Sequence, residues 1–177
     1  MLHVLGLCGY ARSGKDSAAD ALEKLGYFRT SFASELKDQV CRTFGITRET
    51  LEKDKAIWRP LLVEWGRSRR RLDPNYWIIR TSTNMPIGNV IVTDVRYLNE
   101  ARWIWHTMRG YLIRIVRPGV EAANDEERES IAAVDKETEH RTFFIENTGS
   151  LDGLHEKMNS IHKTLLCYST NTTRREP

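Results

Sequence analysis

Cysteine is scarce in this chain and unsuited to any framework. Cys8, Cys41 and Cys167 are odd in number, far apart and never in a C-x-x-C arrangement, so neither a disulfide scaffold nor a zinc knuckle is suggested. A reducing, cytoplasmic setting is the expectation. Long apolar runs are missing as well: no uncharged stretch approaches the roughly 18 apolar residues of a membrane span. The apolar stretch from Met1 lacks a basic n-region and runs straight into a glycine loop, so no targeting peptide is expected. Charge of one sign is not in excess either. Lys and Arg number 27 against 24 Asp and Glu, a formal charge of +3, which does not announce a dedicated nucleic-acid binder. His3, His106, His140, His155 and His162 show no metal-ligand spacing, and no internal repeat is present. What is there is 177 residues, 40% hydrophobic and 29% charged, enough for one compact domain with a single core.

The hydrophobic pattern alternates strand with helix. Leu2 to Cys8 reads as a buried parallel strand ending at Gly9. Ala18, Leu22 and Leu25 then fall at helical spacing, and Gly26 stops that helix. Tyr27 to Phe32 predicts a second strand, after which Ser34 caps a helix with Leu36, Val40 and Phe44 inward. Two more helices are expected, one around Pro60 to Arg69 and one opened by Asp73 and Pro74. Val90 to Thr93 is an apolar strand closed by Asp94, and Asn99 caps a helix that Gly110 ends. Leu112 to Val116 and Phe143 to Ile145 are further strands. Ser150 caps a final helix with Leu151, Leu154, Met158, Ile161 and Leu165 along one face. The acidic stretch from Arg117 to about Glu139 reads as mobile surface. The expected architecture is a three-layer α/β fold with a mainly parallel five-stranded sheet, its ligands at the strands' carboxyl ends. One domain over 1–168 is expected, with a helical insertion at about 46–88, a lid at about 117–140 and a flexible tail at 169–177.

Gly9-Tyr10-Ala11-Arg12-Ser13-Gly14-Lys15 fits the G-x-x-x-x-G-K core of a Walker A phosphate loop, whose amides wrap phosphate oxygens while the lysine reaches the outer phosphates. With Gly near 7% of residues, the bare letters arise by chance in roughly one chain in twenty of this length. Position adds the rest: the loop follows a predicted buried strand and opens an amphipathic helix, whose N-terminus favours an anion. ATP with Mg²⁺ is the cofactor this implies, held by Gly9, Ala11, Arg12, Ser13, Gly14, Lys15, Asp16 and Ser17. Where the motif has Ser or Thr for magnesium, this chain has Asp16, and the hydroxyl moves to Ser17. Either can face the metal.

The string Arg12-Ser13-Gly14-Lys15-Asp16-Ser17 with Ala19-Asp20 resembles the loop of bacteriophage-type deoxynucleoside monophosphate kinases, where R-S-G-K-D-T is found. The similarity extends in order to Asp94-Val95-Arg96-Tyr97-Leu98-Asn99-Glu100-Ala101, to Arg114-Ile115-Val116-Arg117-Pro118-Gly119 and to Ile145-Glu146-Asn147-Thr148-Gly149-Ser150-Leu151. It covers the chain except its tail. The resemblance implies an adenylate-kinase-like P-loop NTPase fold and transfer of the ATP γ-phosphate to a deoxynucleoside monophosphate. It also implies an adenine-side loop at Asn147 and Gly149, acceptor-phosphate contacts at Arg96 and at Arg71 before Asp73-Pro74-Asn75-Tyr76-Trp77, and a homodimer as one open arrangement. Thr138-Glu139-His140 departs from the H-x-S-E pattern of such lids.

Phosphoryl transfer needs positive groups around the transferring phosphoryl and little covalent work from the protein. Besides Lys15, the candidates are Arg12 in the loop, Arg96 beyond Asp94, and Arg117 at the head of the acidic stretch, with Arg114 in support. Asp94 stands in the Walker B manner as a magnesium candidate or as a strand-end cap. The run Arg67 to Arg71 is the densest positive patch; Arg70 and Arg71 can grip a monophosphate, or simply complement a helix end. Trp65 and Trp77 are base platforms or core residues. Three functions remain in view: a deoxynucleoside monophosphate kinase, another small-metabolite kinase of the dephospho-coenzyme A or phosphomevalonate type, and a nucleotide-dependent switch that uses the basic run on nucleic acid.

Overall fold

The computed structural model describes residues 3–137 and 140–172, the last four by backbone alone. The strands are β1 (Val4–Cys8), β2 (Phe28–Thr30), β3 (Val90–Val95), β4 (Tyr111–Val116) and β5 (Thr142–Glu146). The helices are α1 (Lys15–Glu23), α2 (Phe32–Phe44), α3 (Arg48–Lys53), α4 (Lys55–Leu72), α5 (Tyr76–Thr83), α6 (Leu98–Arg102), α7 (Asp125–Lys136) and α8 (Leu151–Thr172). Thr138 and Glu139 of the lid motif, and the tail beyond Thr172, lie outside the described residues.

The sheet has the order β2-β3-β1-β4-β5. β1 runs parallel to β3 and β4, and β4 runs parallel to β5. Every residue of β1 is buried, which is why its sequence is an unbroken apolar run rather than an alternation. Cys8 pairs with Val95 on one side and Arg114 on the other. Gly9, Arg96 and Arg117 therefore leave the sheet at the same edge, the carboxyl one, where α/β sheets hold ligands.

One face of the sheet is covered by α1 and α8. Ala18, Ala19, Leu22, Leu154, Met158, Ile161 and Leu165 pack there on Leu5, Leu7, Ile113 and Ile115, each large side chain contributing about 1.5–3 kcal/mol by burial. On the other face, α6 continues into a π-helical turn at Trp103–Thr107. The wider turn lets Trp103, Ile104 and Trp105 all be buried, which three consecutive residues of a regular amphipathic helix do not manage. Ile104 presses on Gly6, where a Cβ would stand 3.2 Å from it. No described helix is long and apolar enough to cross a membrane.

Residues Thr30–Met85 form a second compact unit. Its helices enclose Val40, Cys41, Leu51 and Leu62, with Leu36, Ile46, Trp58, Leu61 and Trp65 packed around them. Of the expected inward face, Val40 is buried and Leu36 partly so, whereas Phe44 is 45% exposed. Phe44 covers the rings of Trp58 and Trp65, each 5.9 Å away.

Several element ends fall elsewhere than the sequence suggests. β2 is only three residues long and α2 starts at Phe32, because Ser31 is its cap and accepts a hydrogen bond from the Ser34 N–H. α3 was not expected; Thr47 caps it by accepting from the Thr50 N–H. α4 runs through Pro60 to Leu72. The Asp73 carboxylate accepts from the Asn75 N–H and closes a turn, so α5 starts only at Tyr76. Asn99 lies inside α6 rather than capping it. Leu151 opens α8 and is 56% exposed.

The largest departure is the acidic stretch. It contains α7, capped by Asn124, which accepts from the Glu127 N–H, with Ile131 and Val134 fully buried. Few large apolar residues were needed because two at i, i+3 suffice to face the core. Ile131→Ala should lower unfolding free energy by about 2–5 kcal/mol, read from chemical denaturation; a loss near zero would return this segment to a mobile surface.

Candidate active site at the phosphate loop

Between β1 and α1 the chain turns sharply. Gly9 has φ 155°, Arg12 φ 66° and Gly14 φ 104°. A Cβ at Gly9 would stand 2.4 Å from the Ile115 carbonyl oxygen, and one at Gly14 would stand 2.4 Å from the Asn147 side-chain nitrogen. Only glycine fits both the left-handed backbone and the close approach. Asn147 Nδ2 donates to the Ser13 carbonyl at 2.9 Å, while the Asn147 N–H donates to the Val116 carbonyl at 2.7 Å. The residue following β5 thus clamps the loop. Its amide is committed to the backbone, and Gly149 is exposed with open space around it.

Lys15 Nζ donates to the carbonyls of Gly9 and Tyr10, both at 2.7 Å. Burial pulls its pKa below the ordinary lysine value, against the opposing pull of Glu127 and Cys8. The ammonium is therefore a half-dehydrated cation beside helix amides that have no intrahelical acceptor, an arrangement that an anion completes. The Ser13 hydroxyl, in a residue 1% exposed, has no hydrogen-bond partner among the described residues. A triphosphate chain fits these donors. Burial pushes the neighbouring Cys8 thiol up to about 12, so it is not a nucleophile.

The buried carboxylate of Glu127, from the first turn of α7, also reaches the loop. Its Oε1 accepts from the Ala11 N–H at 3.1 Å and stands 3.6 Å from Arg96 Nη2. Its Oε2 accepts from the Ala123 N–H at 2.7 Å. Sequence reading passed over Glu127 as part of a solvated acidic run. The signal was Asn124-x-x-Glu127, the spacing of a capping box.

The other candidates divide clearly. Arg96 comes to the loop through Glu127, with its own N–H donating to Glu100. Arg12 and Arg117 are exposed, Arg12 within the loop and Arg117 beyond the end of β4. Asp94 lies in β3, partly buried. Asp16 is turned to the surface, its side chain 87% exposed and paired with Arg29, which also holds Asp20 and Glu23. Ser17, the loop's other candidate, is partly buried. Among the described residues no cluster of three or more His, Cys, Asp or Glu side chains could hold a metal ion. Arg114 is buried and grips Asp135 of α7 through two hydrogen bonds of 2.7 and 3.0 Å, which ties α7 to the sheet, and its guanidinium lies 5.6 Å from the Tyr10 ring of the loop.

In the helical unit, Trp77 is 2% exposed and donates to the Gly66 carbonyl at 3.2 Å, so it is core and not a base platform. Trp65 donates to Gln39 Oε1 at 2.9 Å and carries the Arg69 guanidinium over its ring at 5.1 Å. Arg69 also lies over Tyr76 at 5.7 Å, and its buried Nε has no partner among the described residues. Arg71 is exposed and Arg70 half-buried.

No protein-family model and no curated protein matches the chain. Solved structures of similar fold include a Thermus thermophilus protein at 16% identity, TM-score 0.48, covering 93% of this chain and 98% of that one. A dephospho-CoA kinase from Campylobacter jejuni stands at 14% identity and TM-score 0.48 over the same shares. A shikimate kinase from Aquifex aeolicus stands at 15% and 0.46, covering 92% and 98%. At such values these likenesses assign neither family nor substrate.

In the ligand-free chain the Lys15 amine should titrate below the ordinary value of 10.5, as followed by NMR of the side chain. The ammonium is the phosphate-binding form, so phosphate affinity should fall on the alkaline side earlier than an exposed lysine would allow. Titration at or above 10.5 would contradict the burial argument.

Proposed function

We propose that this chain is a phosphotransferase that moves the γ-phosphate of ATP onto a deoxynucleoside monophosphate. The observation that carries the reading is the state of the buried carboxylate that hydrogen-bonds the phosphate loop: Glu127 is committed to two backbone amides and to Arg96. A kinase acting on a hydroxyl benefits from an uncommitted carboxylate as base. An acceptor phosphate oxygen is already a nucleophile, so positioning and charge neutralisation carry the rate. Arginines supply both. The resemblance of the loop, of Asp94 to Ala101 and of Asn147 to Leu151 to the deoxynucleoside monophosphate kinases supports the choice of acceptor.

In this reading ATP with Mg²⁺ would supply the transferable phosphoryl, the metal lending positive charge to the phosphates. The amides from Gly14 to Ser17 bind the phosphate chain, and Lys15 leaves the Gly9 and Tyr10 carbonyls to neutralise the outer phosphates. Ser17 and Asp94 are the residues assigned to the metal shell, directly or through water. Arg96 holds the acceptor phosphate, and Arg12 and Arg117 neutralise charge on the transferring group.

The test is coupled ADP release from Mg-ATP with deoxynucleoside monophosphates, ribonucleoside monophosphates, dephospho-coenzyme A and phosphomevalonate. Turnover confined to the deoxynucleotides and reduced about 10²–10³-fold in Lys15→Ala is the expected result. Turnover with another acceptor would overturn the deoxynucleotide assignment, and tight ATP binding without turnover would favour a nucleotide switch.

A further inference from the structure

Glu127 does more than a helix cap requires. Capping α7 needs the Asn124 side chain on the Glu127 N–H and a carboxylate oxygen returned to the preceding backbone, and Oε2 on the Ala123 N–H supplies that return. Oε1 is left over. It bridges two other segments, the loop at Ala11 and the β3–α6 turn at Arg96. Burying a carboxylate to 2% exposure is unfavourable unless it is paired and hydrogen-bonded, and here the pairing partner is a guanidinium whose own side chain is 47% exposed. The rigid member is the glutamate. α7 is fixed in turn by the Arg114–Asp135 pair, by the Arg102–Glu137 pair and by the Tyr97 hydroxyl donating to Glu126 at 2.5 Å.

We infer that Glu127 is a positioning residue for the phosphoryl transfer, holding the Arg96 guanidinium and the Ala11 peptide in one geometry. Acceptor-side cation and donor-side loop then stand at a set separation before substrates bind. The inference rests on the proposed kinase reading.

Four variants of the full chain separate this from a capping role: Glu127→Gln, Arg96→Ala, their double, and Asn124→Ala, which weakens the cap without touching Ala11 or Arg96. The expected result is a fall in kcat of about 100-fold for Glu127→Gln, the scale of a misplaced reacting group, with KM for ATP little changed. Asn124→Ala should melt lower yet keep its kcat, and the double variant should lose far less than the product of the two single losses. Should Glu127→Gln not fold, Glu127→Asp keeps the charge but falls short of Ala11 and Arg96, and should lose kcat likewise. Wild-type kcat in either folded Glu127 variant, or losses that multiply in the double, would overturn the inference alone. Absence of turnover by the unaltered chain with every acceptor would overturn the kinase reading and this inference with it.

Discussion

The structure is organised around the lysine ammonium at the mouth of a helix. Lys15 stands where β1 has ended, where Gly9 and Gly14 turn the chain and where α1 presents amides with no acceptor. Two carbonyl hydrogen bonds, each worth about 1.5–3 kcal/mol to a charged donor, hold it there without restoring its hydration, since burial still wins and lowers its pKa. The helix terminus adds only about 0.3–1 kcal/mol of preference for negative charge. Together they make a site whose unmet demand is for a multiply charged anion.

That demand explains features lying outside the loop. β4 supplies the Ile115 carbonyl that forbids a side chain at Gly9, and the residue after β5 supplies the amide that clamps Ser13. The parallel register puts β1, β3 and β4 at one edge, so phosphate loop, Arg96 and Arg117 share it. α7 answers from the opposite sign of charge: its Glu127 meets a loop amide and pairs with Arg96, while Asp135 neutralises the otherwise buried Arg114.

Much of this was legible in the sequence because the informative residues were local. A continuous apolar run, two glycines and a lysine at fixed spacing determined strand, loop and helix, and each remaining strand was found to within a residue or two. Three helix caps were displaced by two or three residues, to Ser31, Asn75 and Tyr97, because polar residues suited to capping stand close together in each segment. The capping-box spacing of Asn124 and Glu127 was local, but the loop and arginine partners of Glu127, and the partners of Arg114 and Asp16, could not be read, since they lie far away in sequence or on another element. An acidic run looks solvated until one member finds a buried arginine. Trp65 and Trp77 have identical letters and different surroundings, and only packing shows Trp77 to be core.

The central claim is that the loop recognises a phosphate chain rather than a nucleoside. Displacement of a fluorescent ATP analogue from the chain by inorganic tripolyphosphate and, separately, by adenosine tests it most directly. The account predicts displacement by tripolyphosphate, none by adenosine at equal concentration, and no analogue binding in Lys15→Ala that still melts cooperatively. Displacement by adenosine alone, with Lys15→Ala binding as tightly as the unaltered chain, would contradict it.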